Sequence, residues 1–121
     1  MSDSLYERLG GTEGITHIST SLVDNHLANP LIATRFKNAT KNREALIQGA
    51  ATFFIQGTGG PEVYKGKDMI SVHKGMNISG DELVAALDDA LNALATNKVG
   101  QREQEEVLFI LFSMRKELMS Q

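Results

Sequence analysis

The chain contains no cysteine. That absence removes a disulfide framework, thiolate zinc and iron–sulfur sites, a cysteine nucleophile and C-x-x-C-H haem attachment together. Tryptophan is missing too, proline occurs twice, and aromatic residues make up only 6%. No run of large apolar residues is longer than Val107–Phe112, far short of a bilayer span, so no membrane role is expected. The opening Met1-Ser2-Asp3-Ser4-Leu5 lacks the apolar stretch of a secretory signal, and a cytoplasmic home is the expectation. Nor is there a basic excess: 12 Lys and Arg against 15 Asp and Glu give a formal charge of −3, which argues against nucleic acid as a partner. What is present is a globular balance of 41% hydrophobic and 22% charged residues in 121, enough for one domain over residues 1–121.

Strand signals are scarce and helical ones abundant. Ser4–Leu9 predicts a short helical turn closed by Gly10-Gly11, after which Thr12 is the expected cap of a longer helix. Ile15, Ile18, Leu22, Val23 and His26 share one face of that helix, and Asn29-Pro30 ends it. A short piece follows over 31–36. The next helix, 43–56, offers Leu46, Ala50, Phe53 and Phe54 as its apolar face and stops at Gly57-Thr58-Gly59-Gly60-Pro61. Residues 62–77 are too rich in glycine and charge for a regular helix. Ser79-Gly80-Asp81-Glu82 is a capping box, announcing a helix with Leu83, Ala86, Leu87, Ala90, Leu91 and Leu94 inward and Asp88 and Asp89 outward. The last helix, 101–119, turns Val107, Leu108, Leu111, Met114 and Leu118 inward. The fold class is all-α.

The usual catalytic signatures are absent. His17, His26 and His73 form no H-x-x-x-H or E-x-x-H pair, and there is no G-x-S-x-G or Walker A motif. Gly57–Gly60 follows a helix rather than a strand, so it reads as a terminator and not as a phosphate loop. His73 sits among Met69, Ile70, Val72, Met76 and Ile78. Two readings are open for such a histidine: a hydrogen-bonded core residue, the commoner case, or an axial ligand to haem iron in an apolar crevice.

Three stretches tip the balance. They are Leu5-Tyr6-Glu7-Arg8-Leu9-Gly10-Gly11, Phe53-Phe54-Ile55-Gln56-Gly57-Thr58-Gly59-Gly60-Pro61, and Tyr64-Lys65-Gly66-Lys67-Asp68-Met69-Ile70-Ser71-Val72-His73, the last continuing to Gly75 and Ile78. In this order and spacing, from Leu5 to Leu118, the chain resembles the group I truncated haemoglobins. The resemblance implies a two-over-two helical sandwich around haem b, with an extended loop in place of most of one helix. Gly57, Gly59, Gly60 and Gly66 would give that loop its path and Pro61 would stiffen it.

Carried over residue by residue, the resemblance makes His73 the iron ligand. Phe36 matches the phenylalanine at the haem edge, and Phe53 and Phe54 match a pair walling the distal side and core. Tyr64 and Met69 match loop positions beside the haem, Val72 the residue before the ligand, and Ile78 and Leu83 the proximal floor. Tyr64, Lys65, Lys67 and Lys74 are candidates for the propionates.

One departure bears on chemistry. Where the family usually carries an oxygen-stabilising tyrosine, this chain has Val23, and the two distal positions of the 43–56 helix, often polar, fall on Leu46 and Ala50. The implied distal wall is apolar, with His26 and, after a shift of register, Gln48 as rival polar groups.

The implied function is reversible binding of O2, CO and NO. Nitric oxide dioxygenation is a further possibility; it would need an external reductase, since 121 residues hold no flavin or nicotinamide domain. A haem-based gas sensor and a haem-free helical interaction module on the same scaffold are the alternatives. A monomer or weak homo-oligomer is expected.

Overall fold

The computed structural model describes residues 4–30, 43–61 and 79–115. They form five helices, with no strand among the described residues: α1 (Leu5–Arg8), α2 (Gly11–Ala28), α3 (Arg43–Gly57), α4 (Gly80–Thr96) and α5 (Gln101–Ser113). The long helix α2 is central. Both α3 and α4 pack against it, α5 packs on α4, and α1 bridges α2 and α5. Among the described residues α3 and α4 lean on α2 rather than on each other.

Local chemistry sets the boundaries. Ser4 caps α1 by accepting from the Glu7 amide. Gly10 and Gly11 take φ of +96° and +68°, a region closed to most side chains, and so let the chain reverse directly into α2. Thr12 is not the cap: α2 begins at Gly11, and Gly10 offers no side chain to its first amides. Tyr6 takes over that task from outside the helix. Its hydroxyl accepts from the Thr12 amide at 3.1 Å and shares a hydrogen bond with Thr12 Oγ1 at 2.6 Å. At the other end α2 stops at Asn29, before Pro30, as the sequence predicts.

Helix α3 ends in a six-residue closure. The Gly60 amide donates to Ile55 O at 2.8 Å and the Gly59 amide to Gln56 O at 3.4 Å, with Gly59 at φ +98°. The same hydrogen-bond pattern ends α4, where the Val99 amide reaches Leu94 O and the Lys98 amide reaches Ala95 O, both at 3.0 Å. There Lys98, not a glycine, holds the left-handed position at φ +61°. The Ser79–Glu82 capping box forms as the sequence predicts, each side chain accepting from the other residue's amide.

The core gathers Leu5 and Leu9 with Ile15, Ile18 and Leu22 of α2, Ala51 and Ile55 of α3, Ala90, Ala93 and Leu94 of α4, and Val107 of α5. Two helices present a different face from the one predicted. In α3 the buried set is Ile47, Ala51 and Ile55, while Leu46, Ala50, Phe53 and Phe54 are only half-buried. In α4, Asp89 is buried rather than outward, in line with Ala85 and Ala93 one turn on either side. In α5, Val107 is buried, Leu108, Leu111 and Met114 are half-buried, and Leu118 lies outside the described residues.

Candidate functional site

Helix α3 has two apolar faces. One, Ile47–Ala51–Ile55, repeats every four residues and closes the core against α2. The other, Leu46–Ala50–Phe53, follows the i, i+4, i+7 rule one residue earlier and keeps part of its apolar surface uncovered. Phe54 lies between the two and packs on the core, with its ring edge-on to Phe53 at 5.7 Å. Its polar residues Glu44, Gln48 and Gln56 are exposed on the remaining side.

Val23 of α2 and Leu83 of α4 are buried apolar residues outside the core cluster. Val23, Leu46, Ala50, Phe53 and Leu83 bring no side-chain polar atom between them. Such a set suits a large flat apolar group, as the porphyrin plane is, and offers no competing metal ligand. Among the described residues no group of three His, Asp or Glu side chains could hold a metal by itself. Phe36, Tyr64, Lys65, Lys67, Met69, Val72, His73, Lys74 and Ile78 lie outside the described residues.

The rival polar groups are placed clearly. Gln48 is exposed, and Gly49 beside it is half-buried. His26 is turned to α4: its Nδ1 lies 2.7 Å from Asp89 Oδ2, and both side chains are largely shielded from solvent. Asn29 donates to both oxygens of the same carboxylate at 3.2 and 3.1 Å, and Asn25 donates to the Asp89 carbonyl at 3.0 Å. The end of α2 is thereby stitched to the middle of α4 through one acidic residue.

Sequence reasoning missed this seam. The available signal was the pair of alanines, Ala85 and Ala93, flanking Asp89 at four-residue spacing, which lets a neighbouring helix approach closely. Ser19, on α2 one turn before Val23, was missed as well; it is fully buried and its hydroxyl has no protein partner.

Helices packed on a central long helix, with an apolar helix face that the core does not use, are the features of a helical globin. The sequence profile of the bacterial-like globin family matches residues 4–120. A group 1 truncated haemoglobin of Tetrahymena pyriformis is 27% identical over 116 residues, 96% of this chain and 94% of that one. A similar protein of Mycolicibacterium paratuberculosis is 26% identical over 115 residues, 95% of this chain and 83% of the other. The crystal structure of the T. pyriformis truncated haemoglobin in its Fe(III) form superposes with a TM-score of 0.92 at 25% identity, over 98% of this chain and all of that one. The chain belongs to the bacterial-like globin family, in the group I truncated branch, and is a haem-binding globin for diatomic gases.

No helix of the described residues is long and apolar enough to cross a membrane.

Proposed function

We propose that residues 1–121 form one unit that holds haem b through His73 and binds O2, CO and NO reversibly on the side lined by Val23, Leu46 and Ala50. The observation that carries this reading is the second apolar face of α3, which the protein's own core does not use. Haem, when bound, would supply an iron able to take a diatomic gas, and His73 is the residue that would hold it.

The chain's own residues do the rest. Phe53 and Leu83 would give the flat group apolar walls and Phe54 would tie them to the core, while Phe36, Tyr64, Met69, Val72 and Ile78 are the further lining residues that the family resemblance implies. Lys67, with Tyr64, is the partner for the propionates. Val23, Leu46 and Ala50 exclude water from the gas side without offering it a hydrogen bond. His26 is committed to Asp89, which supports its reading as a structural residue rather than as a gas-side donor.

An apolar gas side favours exchange of ligand over its retention, which suits reversible binding or nitric oxide chemistry driven by an external reductase, in a cytoplasmic setting. The test is haem retention. His73→Ala should lose the Soret band after reconstitution and desalting, while the wild type keeps it. A His73→Ala variant with an unchanged haem spectrum overturns the ligand assignment, and a wild type that takes up no haem overturns the whole reading in favour of a haem-free module.

A further inference from the structure

The globin site leaves one surface unused. Phe109 is 74% and Phe112 43% exposed, both on α5, although this helix has buried positions available at Val107 and half-buried ones at Ile110 and Leu111. They continue a line begun by Arg102 and Glu105, so that four exposed residues follow one another at steps of three, four and three. That is the spacing of a helix seam, in which a second helix packs at small crossing angle. Beside the seam runs an open groove of about 500 Å³, bounded by Ser4, Leu5 and Thr58 on one side and by Glu106, Phe109 and Ile110 on the other. Arg102 and Glu105 of the seam line it too, and its cations have acidic neighbours within the copy: Arg8 is bridged to Glu106 and lies 3.7 Å from Glu103, and Arg102 Nε lies 3.9 Å from Glu106 Oε2.

We infer that the Arg102–Glu105–Phe109–Phe112 seam of α5 is a self-association surface and that its occupant is the same seam of a second copy, packed antiparallel about a two-fold axis. Knob and groove lie side by side on one face, so a two-fold lets each copy's Phe109 enter the groove of the other and closes the assembly at two. In an antiparallel pair the axis passes between Glu105 and Phe109. Arg102 of one copy then lies opposite Phe112 of the other, and Glu105 opposite Phe109. Both pairings are electrostatically matched: a ring face attracts a cation and a ring edge an anion. Within one copy Phe112 carries the Arg115 guanidinium 4.5 Å from its ring centroid.

Charge disfavours other occupants. The seam itself is neutral, one arginine with one glutamate, so two copies meet without repulsion. Glu103, Glu105 and Glu106 crowd the same helix, and they oppose docking on an anionic lipid surface or an acidic partner. One helix seam covers less than the roughly 800 Å² per partner of a standard interface, so the dimer is a weak one that forms with rising concentration.

The test uses the haem-loaded protein in sedimentation velocity from micromolar to millimolar concentration. The wild type should move from 13.2 kDa toward twice that mass. Phe109→Glu should stay monomeric with the same Soret spectrum and melting temperature. Because the chain has no cysteine, a single Phe109→Cys should be joined into a dimer by a short bismaleimide, whereas Val84→Cys, also exposed but on α4, should not. A wild type that is monomeric at millimolar concentration, a Phe109→Glu variant that dimerises like the wild type, or equal cross-linking at 84 and 109 overturns the inference.

Discussion

His26 Nδ1 and Asp89 Oδ2 meet at 2.7 Å across the seam between α2 and α4, and Asn29 donates to the same carboxylate. Asp89 is 7% exposed, so its removal leaves shielded donors without that acceptor. Unmaking such bonds costs about 1–3 kcal/mol. Asp89→Ala should lower the urea midpoint accordingly, while Asp88→Ala, one residue earlier and exposed, should stay within about 0.5 kcal/mol of the wild type. Equal midpoints for the two variants would show that the seam contributes nothing to stability.

Gas release follows from the same pair. A donor beside bound oxygen strengthens it by about 1.5–3 kcal/mol when the acceptor carries charge, and carbon monoxide gains much less. With Val23, Leu46 and Ala50 apolar and His26 held by Asp89, oxygen release from the reconstituted wild type should be fast. Val23→Tyr should slow it by roughly tenfold to a hundredfold, with little change for carbon monoxide. His26→Leu should leave oxygen release close to that of the wild type. Stopped-flow measurement of all three decides the matter: slow wild-type release that His26→Leu accelerates would make His26 the donor, and slow release that survives His26→Leu would point to Gln48.

The two helix ends with the same closure make opposite predictions. At Gly60 an added Cβ would sit 2.6 Å from the Tyr6 ring and 2.8 Å from Ile55 O, and at Gly59 the φ of +98° resists any side chain. Gly59→Val or Gly60→Val should therefore cost more than Glu105→Ala, with about 1–3 kcal/mol expected for the backbone strain at Gly59 alone. Lys98 already bears a side chain at φ +61°. Lys98→Gly should raise the melting temperature, because the left-handed conformation costs an L-residue about 1–2 kcal/mol that glycine escapes. Thermal melts of the four variants check both signs.

Acid should loosen the α2–α3 contact. Asp24 accepts from Arg43 Nε at 2.7 Å and from its Nη2 at 2.8 Å, and this hydrogen bonding to Arg43 holds the carboxyl below the ordinary aspartate range. A lowered folded-state pKa means the contribution is complete above the unfolded value, near pH 4, and fades as pH falls through the folded value. Arg43→Met should then be less stable than the wild type at neutral pH, by a small and salt-sensitive margin, and should converge with it as the pH falls through the lowered folded-state value. Glu106, lowered chiefly by its hydrogen bond to Arg8, behaves in the same sense. A gap between wild type and Arg43→Met that is unchanged across that range would refute this coupling.

Periodicity made α2 and α4 legible, because each carries one broad apolar stripe and a clear stop in Asn29-Pro30 or Asn97–Gly100. It failed on α3 for a physical reason. Two adjacent apolar stripes blur the phase of a helix, so the periodicity points to the aromatic-bearing Phe53 and Phe54 although the core face belongs to Ile47, Ala51 and Ile55. Asp89 was misread because an acidic residue in a polar pair looks solvated until the donors from another helix, 60 residues away or more, are known. Thr12 was misread because its place as a cap is filled by a tyrosine hydroxyl six residues earlier, which no local rule anticipates. The candidate haem face was legible through the resemblance alone, since composition and spacing did not distinguish Leu46 and Ala50 from ordinary core residues.

Helix α1 is a single turn and has no stability of its own. Its Tyr6 touches the first turn of α2 through the hydroxyl and the last turn of α3 through its amide, which donates to Thr58 O at 2.9 Å, while Arg8 reaches α5. Two of these anchors, Thr58 and Glu106, are distant in the chain, so α1 is expected to dock late and to fray early. With no tryptophan and only one other tyrosine, the emission of Tyr6 in a Tyr64→Phe apo-protein is a built-in clock for the final step of folding.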